Sequence, residues 1–518
     1  MSDPAPAIPM PRTRAWGILL LILGLATVLR IWHIADASFW LDEFLTVELS
    51  SGHGLAHLDL QRGEITAPPP DYIGLASAEP LHRIWTNSKR DVHPPLFYVA
   101  LRIWRELFGD GDGTIRMLSA VLSVVAIVAI FIAVDAQAGP APALWASLLM
   151  ALSATQIEFA QENRSYMLLE ASLLGTCAAM LCIERRGASW PRLIALGTFT
   201  FTSILSHYLA LPLLGVIGLY SLLRLRGATL RAVLLTFLIS AVVFAFVWGP
   251  FAWEQTEGML HRTSFVKSNN WSTFNCLFNA SSLPLRYFVS APSRSRVIIS
   301  MGAAIYLLPL LLIRKRPSLL FWWLWLTIGV GSLTVSDLIR HGEMLAYLRY
   351  TVAVSPAAFA LVSLMLSHLD GWFRHIVPLA LSLGCMGAIE GAYIRYKPDW
   401  RGLAAAVEAK VQPQDVLIMF DDQPDPWEVR CDLVGIQYYN RPGPRTVIYL
   451  QGPPPPQVDR VIRGARAVWV FTPTLGIGAP AIFPHAQVAE GRFFEFIGSL
   501  VRVELPESSS APVQPDRP

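Results

Sequence analysis

PPLFYVALRIWRELFG, residues 94–109, decides how this chain is threaded. Leu96, Val99, Ala100, Ile103, Trp104 and Leu107 recur at helical spacing on one face, with Arg102, Arg105 and Glu106 elsewhere. A helix so divided suits a membrane surface better than a membrane core. The basic clusters around it test that choice. If the segment does not cross, Arg12 and Arg14, Arg185 and Arg186, Arg224 and Arg226, and Arg314-Lys315-Arg316 all fall in the cytoplasm. If it crosses, every later cluster lands outside. Residues 94–109 are therefore read as a surface helix.

Working outward, long apolar runs read as membrane-crossing helices. They lie near 15–34, 115–135, 141–158, 166–183, 191–206, 208–224, 231–250, 297–313, 318–337, 346–367 and 373–394. The expected fold class is mainly α, a polytopic helix bundle of about eleven to thirteen spans. The first run lacks a small-residue cleavage site and reads as a retained anchor. This threading puts 35–114, 159–165, 207, 251–296 and 338–345 on the outer face of the membrane.

Composition agrees. Of 518 residues, 53% are hydrophobic and only 15% charged, where soluble domains carry roughly 25%. Mean hydropathy is +0.44. A water-soluble enzyme is excluded, and 17 Trp with 25 Phe exclude a disordered chain. Five Cys exclude a disulfide scaffold, and a net charge of +3 with no Lys/Arg-rich run argues for no nucleic-acid partner. Cys177, Cys182 and Cys385 lie in spans, whereas Cys276 and Cys431 share the outer side, where a bridge can form.

From Tyr396 the chain turns polar. Short apolar runs at 415–420 (DVLIMF), 446–450 (TVIYL), 467–471 (AVWVF) and 496–503 (FIGSLVRV) read as strands of a small α/β domain on the outer side. The expected organisation is a membrane domain over 1–395 with its first loop at 35–114, an α/β domain over 396–505, and a disordered tail over 506–518.

Ionisable and aromatic residues gather at the outer ends of the spans. They are FWLDEFLT (39–46) with adjacent Asp42 and Glu43, DVHPP (91–95), QENRSY (161–166), SHY (206–208) and IRHGEMLAYLRY (339–350). Each has a bland reading alone: Asp42 and Glu43 as loop acids, Arg164 and Arg349 as snorkelling cations, His207 as a helix end. Together on one membrane face they point to a functional site.

The Asp-Glu pair after the first span, the His-Pro-Pro start of the surface helix, the Gln-Glu-x-Arg-x-Tyr element and the later His-Tyr turn resemble membrane glycosyltransferases of the GT-C type. The sequence is similar to protein O-mannosyltransferases and to bacterial lipid A aminoarabinose and galacturonic acid transferases. The resemblance spans roughly 15–400, and KPDWRGLAAAVEAKVQPQDVLIM (397–419) is similar to the start of their periplasmic domain. It departs at Asn163, where relatives often carry a small residue, and at the insertion GEITAPPPDYIG (63–74).

The resemblance implies a polyprenyl-phosphate sugar donor, membrane lipids around it, and transfer with inversion to a periplasm-facing lipid, glycan or protein. The family's acids fall on Asp42 and Glu43. Arginine offers bidentate donors to a leaving phosphate, so Arg164, Arg349, Lys89 and Arg340 are the expected phosphate ligands. His93, Glu162, Tyr166, His207, Tyr208 and Tyr350 are the expected pocket. A carboxylate suits the general base, here Asp42; a divalent metal held by Asp42, Glu43 and His93 is the alternative. Two rivals stay open: a lipid or sugar transporter without chemistry, and a ligase or polymerase using a diphosphate-linked donor.

Overall fold

The computed structural model describes residues 10–261, 271–289, 296–367, 371–393, 397–420, 427–440, 446–473, 482–483, 486–495 and 497–505. The expected tail 506–518 and part of the expected loop 251–296 lie outside them. The chain forms two compact units: Met1–Asp36 with Ser88–Arg395, and Ala37–Asn87 with Tyr396–Pro518.

Helix α1 (Arg12–Ile31) opens the first unit, and α2 (Leu41–Ser51) and α3 (Leu81–Asn87) belong to the second. The first unit resumes with α4 (Leu96–Phe108), α5 (Asp112–Ala138), α6 (Pro140–Leu152), α7 (Ala154–Ala160) and α8 (Tyr166–Arg186). It continues through α9 (Trp190–Ser206), α10 (Ala210–Arg224), α11 (Gly227–Val247), α12 (Gly249–His261) and α13 (Thr273–Val289). It closes with α14 (Arg296–Leu312), α15 (Ser318–Arg340), α16 (Ser355–Leu366) and α17 (Phe373–Tyr393).

Among the described residues, six helices (α1, α5, α8, α11, α15 and α17) are long and apolar enough to cross a membrane. The bent pair α6–α7 makes a seventh. The expected runs at 191–206, 208–224 and 297–313 are helices of 17, 15 and 17 residues. The run at 346–367 is helical in one piece only from Ser355, after short 3₁₀ turns. Helix length alone thus marks fewer spans than the apolar runs do.

Helix α4 is 13 residues long, too short to span. Its protein-facing side is Phe97, Tyr98, Leu101, Arg102 and Arg105, while Ile103 and Leu107 of the apolar stripe are exposed. The arginines are neutralised on the inner face, Arg102 by Glu106 and Arg105 by Asp110, each at 2.6 Å. An apolar stripe turned outward is what a helix lying on a membrane presents.

Burial separates the apolar helices. The apolar window of α8 is 89% buried and that of α11 only 11%, so α8 is central and α11 faces outward. Small residues admit neighbours to α8: a Cβ on Gly175 would sit 2.7 Å from the Phe199 ring. Between α6 and α7 the chain bends by 62°. Ser153 caps the new helix by accepting from the Gln156 amide, and the buried Arg30 guanidinium donates to the carbonyls of Met150 and Ala151 at 3.3 and 3.1 Å. Carbonyls released inside an apolar bundle must find such partners.

The second unit carries α18 (Trp400–Lys410), α19 (Trp427–Tyr439) and α20 (Pro456–Gly464) beside a six-stranded sheet. Its strands are β1 (Ile65–Thr66), β2 (Val416–Phe420), β3 (Val447–Leu450), β4 (Val468–Thr472), β5 (Gln487–Phe494) and β6 (Gly498–Glu504), ordered β1-β3-β2-β4-β6-β5. Strands β3, β2 and β4 run parallel, and every residue in them is buried, as continuous apolar runs require. The four runs read from the sequence are β2, β3, β4 and β6. Residues 37–87, expected within the first loop of the membrane domain, cluster with this unit, where α2 packs on α19 and β1 adds antiparallel to β3. None of the five cysteines forms a disulfide.

Candidate active site

The first unit gathers polar residues where α7 gives way to α8 and α9 to α10. Residues Gln161–Ser165 form a tight turn, tethered by Gln161 Nε2, which donates to the carbonyls of Arg30 and Trp32 at 3.0 and 2.6 Å. Glu162, Asn163 and Arg164 are buried there. The Arg164 guanidinium lies 6.0 Å from the Tyr166 ring centre, and Tyr166 packs on Phe159.

His207 caps α9 in extended conformation. Its Nδ1 accepts from the Leu209 amide at 3.1 Å, which leaves the ring proton on Nε2. That Nε2 is buried and has no hydrogen-bond partner among the described residues. The His207 ring meets His93 edge-on at 4.6 Å between centres and Tyr166 at 6.2 Å. Burial lowers the His207 pKa well below the usual histidine value, helped by the charges of His93 and Arg164 and opposed by Asp91. His207 is therefore a neutral donor.

Asp91 anchors the other side. Its carboxylate accepts from the Tyr98 hydroxyl at 2.5 Å, the His93 amide at 3.2 Å and His93 Nδ1 at 3.3 Å. Burial opposes its ionisation, but His93, Arg164 and Tyr98 outweigh burial and hold the carboxyl well below the usual carboxylate range. The segment Ser88–His93 is itself gripped. Gln255 Nε2 donates to the carbonyls of Ser88 and His93 at 2.7 and 2.9 Å. Gln255 is oriented by the Tyr208 hydroxyl, which in turn accepts from the buried Trp248 indole.

The expected residues His93, Arg164, Tyr166, His207 and Tyr208 thus share one neighbourhood, with Glu162 in the same turn. Leu348 and Val352, on either side of Arg349, pack against the Phe159–Tyr166 cluster. The Arg349 guanidinium itself lies over the Tyr347 and Tyr350 rings at 5.1 and 5.2 Å. Lys89 pairs with Glu254 at 3.2 Å, half exposed, and Arg340 is exposed at the end of α15. Asp91, Tyr98, Trp248 and Gln255 were not among the expected site residues. Asp91 stands two positions before His93, but the other three join through tertiary contacts alone.

In the second unit Asp42 and Glu43 open α2. Glu43 is fully buried; its Oε2 accepts from Lys397 Nζ at 2.6 Å and from the Trp40 amide at 3.3 Å. Glu43 therefore closes a helix cap and a buried ion pair. Asp42, half buried on the same first turn, accepts the Thr46 hydroxyl through its carbonyl. Among the described residues no group of three or more His, Cys, Asp or Glu is placed to hold a metal ion. Glu43, one of three expected ligands, is held by Lys397.

A bundle of long apolar helices with a polar cluster at the helix ends is a multi-pass membrane architecture. Residues 92–253, which span His93, the QENRSY turn, His207 and Trp248, match the family model described as dolichyl-phosphate-mannose-protein mannosyltransferase. The chain is similar in fold to ArnT from Cupriavidus metallidurans bound to undecaprenyl phosphate: TM-score 0.57, 15% identity, 94% of this chain and 98% of that chain covered. The apo state of the same protein aligns at TM-score 0.57 with 14% identity over 94% and 98%. The oligosaccharyltransferase AglB from Archaeoglobus fulgidus aligns at TM-score 0.47 with 12% identity over 89% and 69%. No curated protein matches the sequence. The resemblance to GT-C type glycosyltransferases is shown at two levels, in sequence over 92–253 and in fold over nearly the whole chain.

Proposed function

We propose that the protein is an inner-membrane glycosyltransferase that moves a sugar from a polyprenyl-phosphate donor to an acceptor on the periplasmic side. The acceptor is a lipid, glycan or protein. The observation that carries this reading is the buried His207 Nε2–H, an unpartnered donor beside His93, Tyr166 and Arg164 within the segment that matches the family model. A neutral donor beside a guanidinium fits a phosphate that gains charge as it leaves.

In the proposed reaction an acceptor oxygen attacks the anomeric carbon from the face opposite the phosphate. The bond from carbon to phosphate oxygen breaks, and the electron pair leaves on the polyprenyl phosphate. Configuration inverts because there is one displacement. The acceptor proton passes to Asp42. Glu43, already held by Lys397 and the Trp40 amide, shapes the turn that carries Asp42. Arg164, with Arg349, Lys89 and Arg340, neutralises the phosphate; His93 and Tyr166 wall the pocket, and Asp91 orients His93. The polyprenyl tail lies in the bilayer or between helices.

Mass spectrometry of lipid A, cell-wall glycans and glycoproteins from cells with and without the gene tests this reading. One of these pools should lose a single sugar. Unchanged pools would favour the transporter.

A further inference from the structure

The basic residues read from the sequence as topological markers do more than mark topology. Residues from the ends of α5, α8, α10 and α16 and the starts of α6, α15 and α17 wall one cleft of about 900 Å³. This size falls within the range of ligand sites, roughly 300–1,000 Å³. Along α8, Tyr166 at the candidate active site and Glu184 at the cleft stand about 27 Å apart at 1.5 Å per residue. That is close to the thickness of a bilayer core, about 30 Å. Helices α5 and α10 run between the same two places, so the cleft lies at the opposite end of the bundle.

Five cations line it, Arg185, Arg224, Lys315, Arg316 and Arg374, against one carboxylate, Glu184. Both oxygens of that carboxylate are engaged: Oε1 accepts from Arg224 Nε and Oε2 from the Tyr220 hydroxyl, each at 2.8 Å. Arg185 is steadied on the carbonyls of Asp135 and Ala136. Lys315 and Arg316 sit at the rim, exposed, with no ion pair among the described residues. Pro317 and Ser318, at the N-terminus of α15, also line the cleft, and the positive end of that 23-residue helix adds to the field.

Insertion rules place cations in loops, but they do not require cations from separate loops to converge on one cavity around a carboxylate already neutralised. We propose that this cleft binds a phosphate group at the membrane surface, that of an anionic lipid headgroup or of a free phosphate. Basic pockets between membrane helices take such headgroups. The site is separate from the proposed sugar transfer and does not rest on it.

The test is native mass spectrometry of the full-length protein in detergent, titrated with phosphatidylglycerol, with phosphatidylcholine, and with inorganic phosphate as competitor. Each basic residue near an anionic group is worth about fivefold in affinity, so Lys315→Gln with Arg316→Gln should weaken phosphatidylglycerol binding roughly 30-fold. Arg231→Gln, an exposed residue of α11 outside the cleft, removes a charge at the same end and should leave binding unchanged. Unaltered melting of the double variant would confirm that it is folded, and Arg374→Gln repeats the test inside the cleft. Preference for phosphatidylglycerol, lost in the cleft variants and resistant to millimolar phosphate, supports the site with a lipid occupant. Equal loss on adding inorganic phosphate supports the site with a soluble occupant. No preference over phosphatidylcholine, or an equal effect of Arg231→Gln, overturns the proposal.

Discussion

His207→Phe keeps a flat ring against His93 and Tyr166 but removes both nitrogens. Two effects on stability oppose each other. The Leu209 amide loses its acceptor, which costs about 1–3 kcal/mol when the amide is buried. The buried Nε2–H, which has no partner among the described residues, disappears, and that relieves a penalty of similar size, about 1–3 kcal/mol. The net change in stability should be within about 1 kcal/mol. Donor affinity is different: if Nε2–H donates to a phosphate, the lost charge-assisted hydrogen bond is worth about 1.5–3 kcal/mol, roughly 10–150-fold. Acid sensitivity should change as well. Because burial depresses the His207 pKa in the folded state, the unfolded chain takes up the proton first, and stability is lost as pH falls through about 6.5. His207→Phe should remove that loss between pH 7 and pH 5. Thermal melts across pH and titration with a polyprenyl-phosphate sugar read both quantities. A variant that melts much lower while binding donor normally would show that His207 is only a helix cap.

Arg164→Lys and Arg349→Lys should each weaken donor binding without restoring full activity, because a point charge does not replace a planar fork; unchanged affinity in titration removes both from the site. Glu43→Gln leaves Lys397 buried without its carboxylate, at a cost of about 3–5 kcal/mol. Adding Lys397→Met should recover most of that melting temperature, and if it does not, the pair is not what holds α2. A reporter fused after Pro398 should be active in the periplasm and one fused after Arg186 in the cytoplasm. The reverse pattern would mean that α4 crosses.

Local pattern carried much of the fold. The 3.6-residue spacing of Leu96 to Leu107 marks α4, and continuous apolar runs mark β2, β3 and β4, because each element buries or exposes whole faces. What lay beyond local pattern is long-range pairing. The two-residue β1 sits in a proline-rich loop with no strand signature, yet it pairs with β3, while α2 packs on α19, nearly 390 positions further along the chain. At the candidate site, His93, Arg164 and His207 were legible because charge and imidazole are costly beside apolar spans. Trp248 and Gln255 were not, since an aromatic at a span end reads as an interfacial anchor. Glu43 reads as half of an acidic pair until Lys397, 354 positions away, is seen to neutralise it.

The central claim, sugar transfer from a polyprenyl-phosphate donor with Asp42 as base, is tested most directly with purified protein. A donor and its acceptor fraction are incubated with wild type and with Asp42→Asn, and the released lipid is weighed by mass spectrometry. General-base catalysis contributes roughly 10²–10⁴-fold. Wild type should therefore release polyprenyl monophosphate, and Asp42→Asn should be slower by that factor while still binding donor. Release of a diphosphate, or transfer by Asp42→Asn within a few-fold of wild type, would contradict the account.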